Sequence, residues 1–142
     1  MDLRDICTMA MVNAVGEQIV EQATDTDTNA PRMRFHTTTG DIPGTYVAEL
    51  TIPASNITTD LWQDTDSDNT TGATGTFTTI ASNTADSDGT VAYFSIVQHP
   101  TNSTVVLTGE VGESGSDINF NTVEWDTGDN ISITSLSFTM PK

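Results

Sequence analysis

Asp64, Asp66 and Asp68 stand at alternate positions in the segment QDTDSDNTTGATG, residues 63–75, with Asn69 directly after them. Hard oxygen ligands at that spacing open a calcium loop of the EF-hand type, and Asn69 occupies the turn that glycine usually takes. The bidentate glutamate that closes such a loop is missing, because Gly75 stands in its place. A solvated acidic loop is the competing reading. Ca²⁺ is therefore the one cofactor the residues offer, and they suit it only in part.

Other residues with chemical potential lack companions. His36 and His99 are the only histidines, and no third ligand stands at a fixed spacing for zinc. The many serines include no G-x-S-x-G elbow, and Cys7 is a lone cysteine with no motif around it. Gly109, Gly112 and Gly115 recur without a following Lys-Ser/Thr, so turns rather than a phosphate loop are expected. Asp86 and Asp88 before Gly89 likewise read as a turn, with Gly89 in the left-handed region. Arg32 and Arg34 share one strand face, where they either pair with acids across the sheet or dock an acidic partner. Trp62 and Trp125 suit a buried or interface place better than an exposed sugar platform. The sequons at Asn56, Asn69, Asn102 and Asn130 arise readily in so Thr- and Ser-rich a chain. No enzyme is expected.

The elements that must position these residues change character along the chain. Residues 1–24 read as one α-helix, capped by Asp2 and ended by ATDTDTNAP. Its apolar residues fall on two sides: Leu3, Ile6, Ala10 and Met11 on one, Val12, Val15 and Ile19 nearly opposite. The second side suits the body of the protein, and the first suits a neighbouring subunit. From Pro31 the pattern alternates with period two, broken by Gly, Asn, Asp and Pro, as in many short strands. RMRFHTT, TYVAELTI, GTFTTIA, STVVLTGEV and DINFNTVEW each read as a strand. TVAYFSIVQ is apolar on both faces and belongs in the middle, with STVVLTGEV as its hairpin partner. NISITSLSFTM switches parity between Ile133 and Leu136, which predicts a β-bulge near Ser135. The expected fold is mainly β, an antiparallel β-sandwich of jelly-roll type over residues 31–142, preceded by the helix.

Composition narrows the partners. Twenty acids against four bases give a net charge of −16, which repels phosphate and makes nucleic acid and anionic membrane poor partners. One lysine, and fourteen Asp against six Glu, favour a halophilic host whose salt screens the self-repulsion. The early acids and the lack of a long apolar run make the N-terminus unlike a signal peptide, so synthesis in host cytoplasm is expected.

Taken in order, RMRFHTTTG, YVAELTIP, GTVAYFSIV, VVLTGEVGESGSDINFNT and DNISITSLSFTMP resemble a known group. These are the small Thr/Ser/Gly-rich β proteins encoded among the virion structural genes of tailed phages and tailed archaeal viruses. The resemblance is strongest over residues 75–141, in TGEVGESGSDINFNT and ISITSLSFTMP, while residues 53–74 depart from it. It implies a place in a virus particle, with a capsid decoration or turret component as the leading expectation. The implied partners are other virion proteins, the major capsid protein among them, and further copies of the chain, most simply a trimer. A tail or baseplate element and a receptor- or glycan-binding module are the alternatives.

Overall fold

The computed structural model describes residues 30–52, 73–77, 80–98, 101, 104–134 and 136–140, with side chains left out at 73–77 and 137–140. The expected helix over 1–24, Trp62 and the aspartates at 64, 66 and 68 lie outside these residues. What is described is mainly β. Strands β1 (Arg32–His36), β2 (Ala48–Thr51), β6 (Tyr93–Val97), β7 (Val105–Gly112) and β8 (Ile118–Asn119) form one sheet in the order β2-β1-β6-β7-β8. Three two-stranded ladders accompany it: β3 (Ala73–Phe77) with β11 (Leu136–Met140), β4 (Asn83–Thr84) with β10 (Asn130–Ile131), and β5 (Gly89–Thr90) with β9 (Glu124–Trp125).

The core face of the sheet follows from register. Leu50, Met33, Ile96 and Leu107 stand opposite one another across β2, β1, β6 and β7, and Ala48, Phe35, Phe94 and Gly109 form the next row. Met33, Phe35, Leu50 and Ile96 are fully or almost fully buried. The ladders add Ala85, Trp125, Ile131 and Leu136 to the same apolar cluster. Phe35 and Trp125 in this cluster meet the half-buried Phe120 packed against it edge to face, with ring centroids 5.0–5.7 Å apart. This geometry sets the positive edge of each ring against the negative face of the next.

β6 is central, as its two apolar faces require, and β7 returns beside it in antiparallel register with an irregularity between Ile96 and Val97. Three expectations are corrected. β8 runs parallel to β7 after only the five residues Glu113–Asp117, far shorter than an ordinary parallel crossover. The chain manages this by a tight loop: Asp117 accepts the Glu110 N–H, and Asn119 exchanges two hydrogen bonds with the Ser116 backbone.

The glycines are the second correction. Gly109 and Gly112 lie within β7, and of the three only Gly115 turns with positive φ, at 74°. A Cβ on Gly109 would overlap the Phe94 ring and the Asp117 carboxylate, and one on Gly112 would strike Ser116. Gly89 begins β5 rather than a left-handed turn; a Cβ there would stand 2.8 Å from a Val47 methyl. These glycines are set by close approach, not handedness.

The third correction concerns NISITSLSFTM. Ser135, where the bulge is expected, lies outside the described residues, and the segments on either side of it have different partners rather than forming one strand. β10 pairs with β4, and β11, after the break, pairs with β3. Ile131 and Leu136 each reach the core from their own ladder. DINFNTVEW is divided in the same way between β8 and β9.

Candidate functional site

The second face of the central sheet is polar where it is expected to be, and its middle residues Arg34, His36 and Ser95 are nevertheless buried. Register aligns Glu49, Arg34, Ser95 and Thr108 across four strands, with His36, Tyr93 and Glu110 as the adjoining row. Arg34 and Glu49 are direct neighbours, and the Arg34 Nε donates to Glu49 Oε2 at 2.7 Å. Arg34 also donates to the Pro43 carbonyl, and its guanidinium lies 4.8 Å from the centre of the Tyr46 ring. Arg32 reaches the other oxygen of Glu49 at 3.4 Å and donates to the Ala30 carbonyl. The two arginines are thus held within the sheet by one carboxylate, the cross-strand pairing that their shared face suggests.

His36 is completely buried one step along the strand. Its Nδ1 lies 2.6 Å from the Thr45 carbonyl, and its Nε2 lies 2.8 Å from the Ser95 hydroxyl. A carbonyl can only accept, so Nδ1 carries the proton, and in the neutral ring Nε2 accepts from Ser95. Burial pushes the His36 pKa below its ordinary value, which outweighs the raising effect of the Thr45 carbonyl; Arg34 lowers it further and Asp41 raises it. A serine hydroxyl on a histidine, with an acceptor behind the ring, has the connectivity of a nucleophile and its base. Ser95 is itself fully buried, however, and lines neither of the principal surface cavities. The pair fastens β1 to β6 and to the loop before β2.

The signal for that pair was present in TVAYFSIVQ. A hydroxyl in the middle of a strand apolar on both faces must find a buried partner, and His36 is the polar group that the neighbouring strand supplies.

These two cavities lie elsewhere, along the segments 117–122 and 129–134 and at Leu136. One, of about 360 Å³, is lined by Phe120, Asn121, Thr122, Trp125, Asp129, Asn130, Ile131 and Ser132. The other, of about 350 Å³, runs from Asp117 to Phe120 and from Ser132 to Thr134, ending at Leu136. Phe120 and Ser132 line both, so the two cavities adjoin as a groove whose halves share the half-buried Phe120. Trp125 is buried at its base and donates its indole N–H to the Thr122 carbonyl, so it supports the groove rather than offering an exposed platform. No spacing motif announces this groove, because its two walls belong to segments that the fold brings together.

Leu3, Ile6, Ala10 and Met11, the expected subunit contacts, lie outside the described residues, as do Cys7 and His99. Among the described residues no cluster of three or more His, Cys, Asp or Glu side chains could hold a metal. Asp88, from the acidic turn, accepts both the backbone N–H and the hydroxyl of Thr127, which hold its pKa below the ordinary value. No family model, curated protein or solved structure matches the chain.

Proposed function

We propose that the protein is a non-enzymatic structural component of a tailed-virus particle, most simply a capsid decoration or turret protein. The observation that carries this reading is the work done by the segment TGEVGESGSDIN, where the resemblance to virion proteins is strongest. Gly109 lies under Phe94, Gly112 faces Ser116, Gly115 makes the turn, and Asp117 and Asn119 close the loop by hydrogen bonds. The similar residues therefore build a shape, as expected where the shared property is architecture. The sheet and its ladders share one apolar cluster, which supports a sandwich with the ladders as the second layer.

On this reading the chain binds a repeated surface, with the major capsid protein as the partner and Leu3, Ile6, Ala10 and Met11 as contacts in a trimer. Net charge −16 fits a particle assembled in a saline host. The experiment is light scattering in dilute buffer and in about 1 M salt, where the screening length falls to about 3 Å. A trimer in salt, lost together with incorporation into particles in an Ile6→Asp/Ala10→Asp variant, is the expected result. A monomer in both buffers, with the variant still occupying particles normally, would overturn this use of the N-terminal segment.

A further inference from the structure

The groove between segments 117–122 and 129–134 is a feature that the architectural reading leaves unused. Asn121, Asn130, Ser132 and Thr134 are exposed along it, and their side chains make no hydrogen bond among the described residues. Two amides and two hydroxyls therefore present donors and acceptors to whatever enters. Between them lies the Phe120 ring, braced edge-on by Phe35 and Trp125. That bracing holds an aromatic surface in place at little entropic cost on binding.

The lining selects the chemistry of the ligand. It contains no cation, while Asp117 and Asp129 stand along it, so phosphate, sulfate and carboxylate ligands are repelled. Neither carboxylate belongs to a group of three or more His, Cys, Asp or Glu side chains among the described residues, so the lining offers a metal ion too few ligands. A wholly apolar ligand would leave the amides and hydroxyls desolvated without partners. A ligand with one C–H face and a rim of uncharged hydroxyls satisfies both the ring and the polar edge. Each half of the groove lies within the size range of about 300–1,000 Å³ typical of small-molecule sites, and the halves adjoin. We propose that this groove binds a neutral oligosaccharide, with a pyranose stacked on Phe120 and its neighbours held by Asn121, Asn130 and Ser132. The proposal does not depend on membership of a particle.

The test is an NMR titration of the isotope-labelled chain with maltohexaose, cellohexaose and mannohexaose, each to about 10 mM. Hexagalacturonate is the acidic control, and an uncharged Ser/Thr-rich decapeptide tests whether the groove instead takes an extended chain. At least one neutral sugar should shift the amides of 120–122 and 130–134, with Kd of about 0.1–10 mM. Phe120→Leu should weaken that binding about tenfold, and Asn130→Ala about three- to tenfold. Asn130 and Asn121 are exposed, so alanine variants there retain the fold if the Phe120 variant does not. Silence of all three neutral sugars overturns the proposal. So does equal binding of hexagalacturonate, binding unaffected by the variants, or occupation of the groove by the decapeptide alone.

Discussion

His36 shows how one side chain can make a whole sheet sensitive to acid. The folded protein holds its imidazole neutral between the Thr45 carbonyl and the Ser95 hydroxyl, with Arg34 and Asp41 as its charged neighbours. Its folded pKa lies below the ordinary value of 6.5, so in acid the unfolded chain takes up the proton first. The stabilisation is complete above about pH 6.5 and declines as pH falls from there through the lowered folded pKa. Urea midpoints measured across that window should drop toward acid, and His36→Asn should flatten that part of the curve. An unchanged slope in the variant would assign the effect to other groups. Asp88 acts separately: with its pKa depressed, its contribution is complete above the ordinary carboxylate value and is lost only as pH falls from there through the lowered folded pKa. At this scale the sequence identified the polar residues of β1 but not their fate. Period two placed Arg32, Arg34 and His36 on one face; what it could not show is that Pro43, Thr45 and Tyr46 lie against Arg34 and His36, with Glu49 and Ser95 as their partners on the flanking strands.

Among the elements, β7 and its return loop are the least forgiving. Register sets Phe94 opposite Gly109, so the ring lies across a position with no side chain, while Asp117 approaches from the loop. Gly109→Ala should cost about 1–3 kcal/mol by overpacking. Gly44→Ala is the control: nothing lies within 4 Å of a Cβ there, and thermal unfolding should show a change from none to a gain of about 1 kcal/mol. Equal effects at the two sites would contradict the proposed packing of Phe94. Strands β1, β2, β6 and β7 were legible because alternation, or an apolar run, reports which side of a strand meets the core. The same pattern carries no information on which strand lies opposite. NISITSLSFTM therefore reads as one bulged strand, although it serves two ladders, and the parallel β8 escapes notice because side-chain hydrogen bonds from Asp117 and Asn119 make its loop possible. The groove was hidden for the same reason: Phe120 and Ser132 become neighbours only after β9 and β10 have found their partners.

For the molecule as a whole, self-repulsion is the dominant long-range force. Arg32 and Arg34, two of the four bases, are already engaged with Glu49, so they do little to offset acids elsewhere on the surface. Added salt should stabilise the fold, raising Tm by about 5 °C or more between about 0.05 M and 1 M sodium chloride. Most of the rise should come early, as the screening length shortens. A flat response would mean that the acids are spaced widely enough not to strain the folded state.

The pairing of β1 with β6 also sets a timetable. Arg32 must meet Val97, and His36 must meet Tyr93, across a stretch of chain that contains β2 to β5. A β1–β2 hairpin can form as soon as Thr51 exists, but the edge it turns toward β6 then stays open, with His36 lacking its Ser95 contact. Until Ser95 is made and delivered, that edge is a template for any other extended chain. The distant pairing that locks the mature sheet therefore makes it a slow folder. During that interval the strong negative charge, rather than the completed core, is what keeps nascent copies from joining edge to edge.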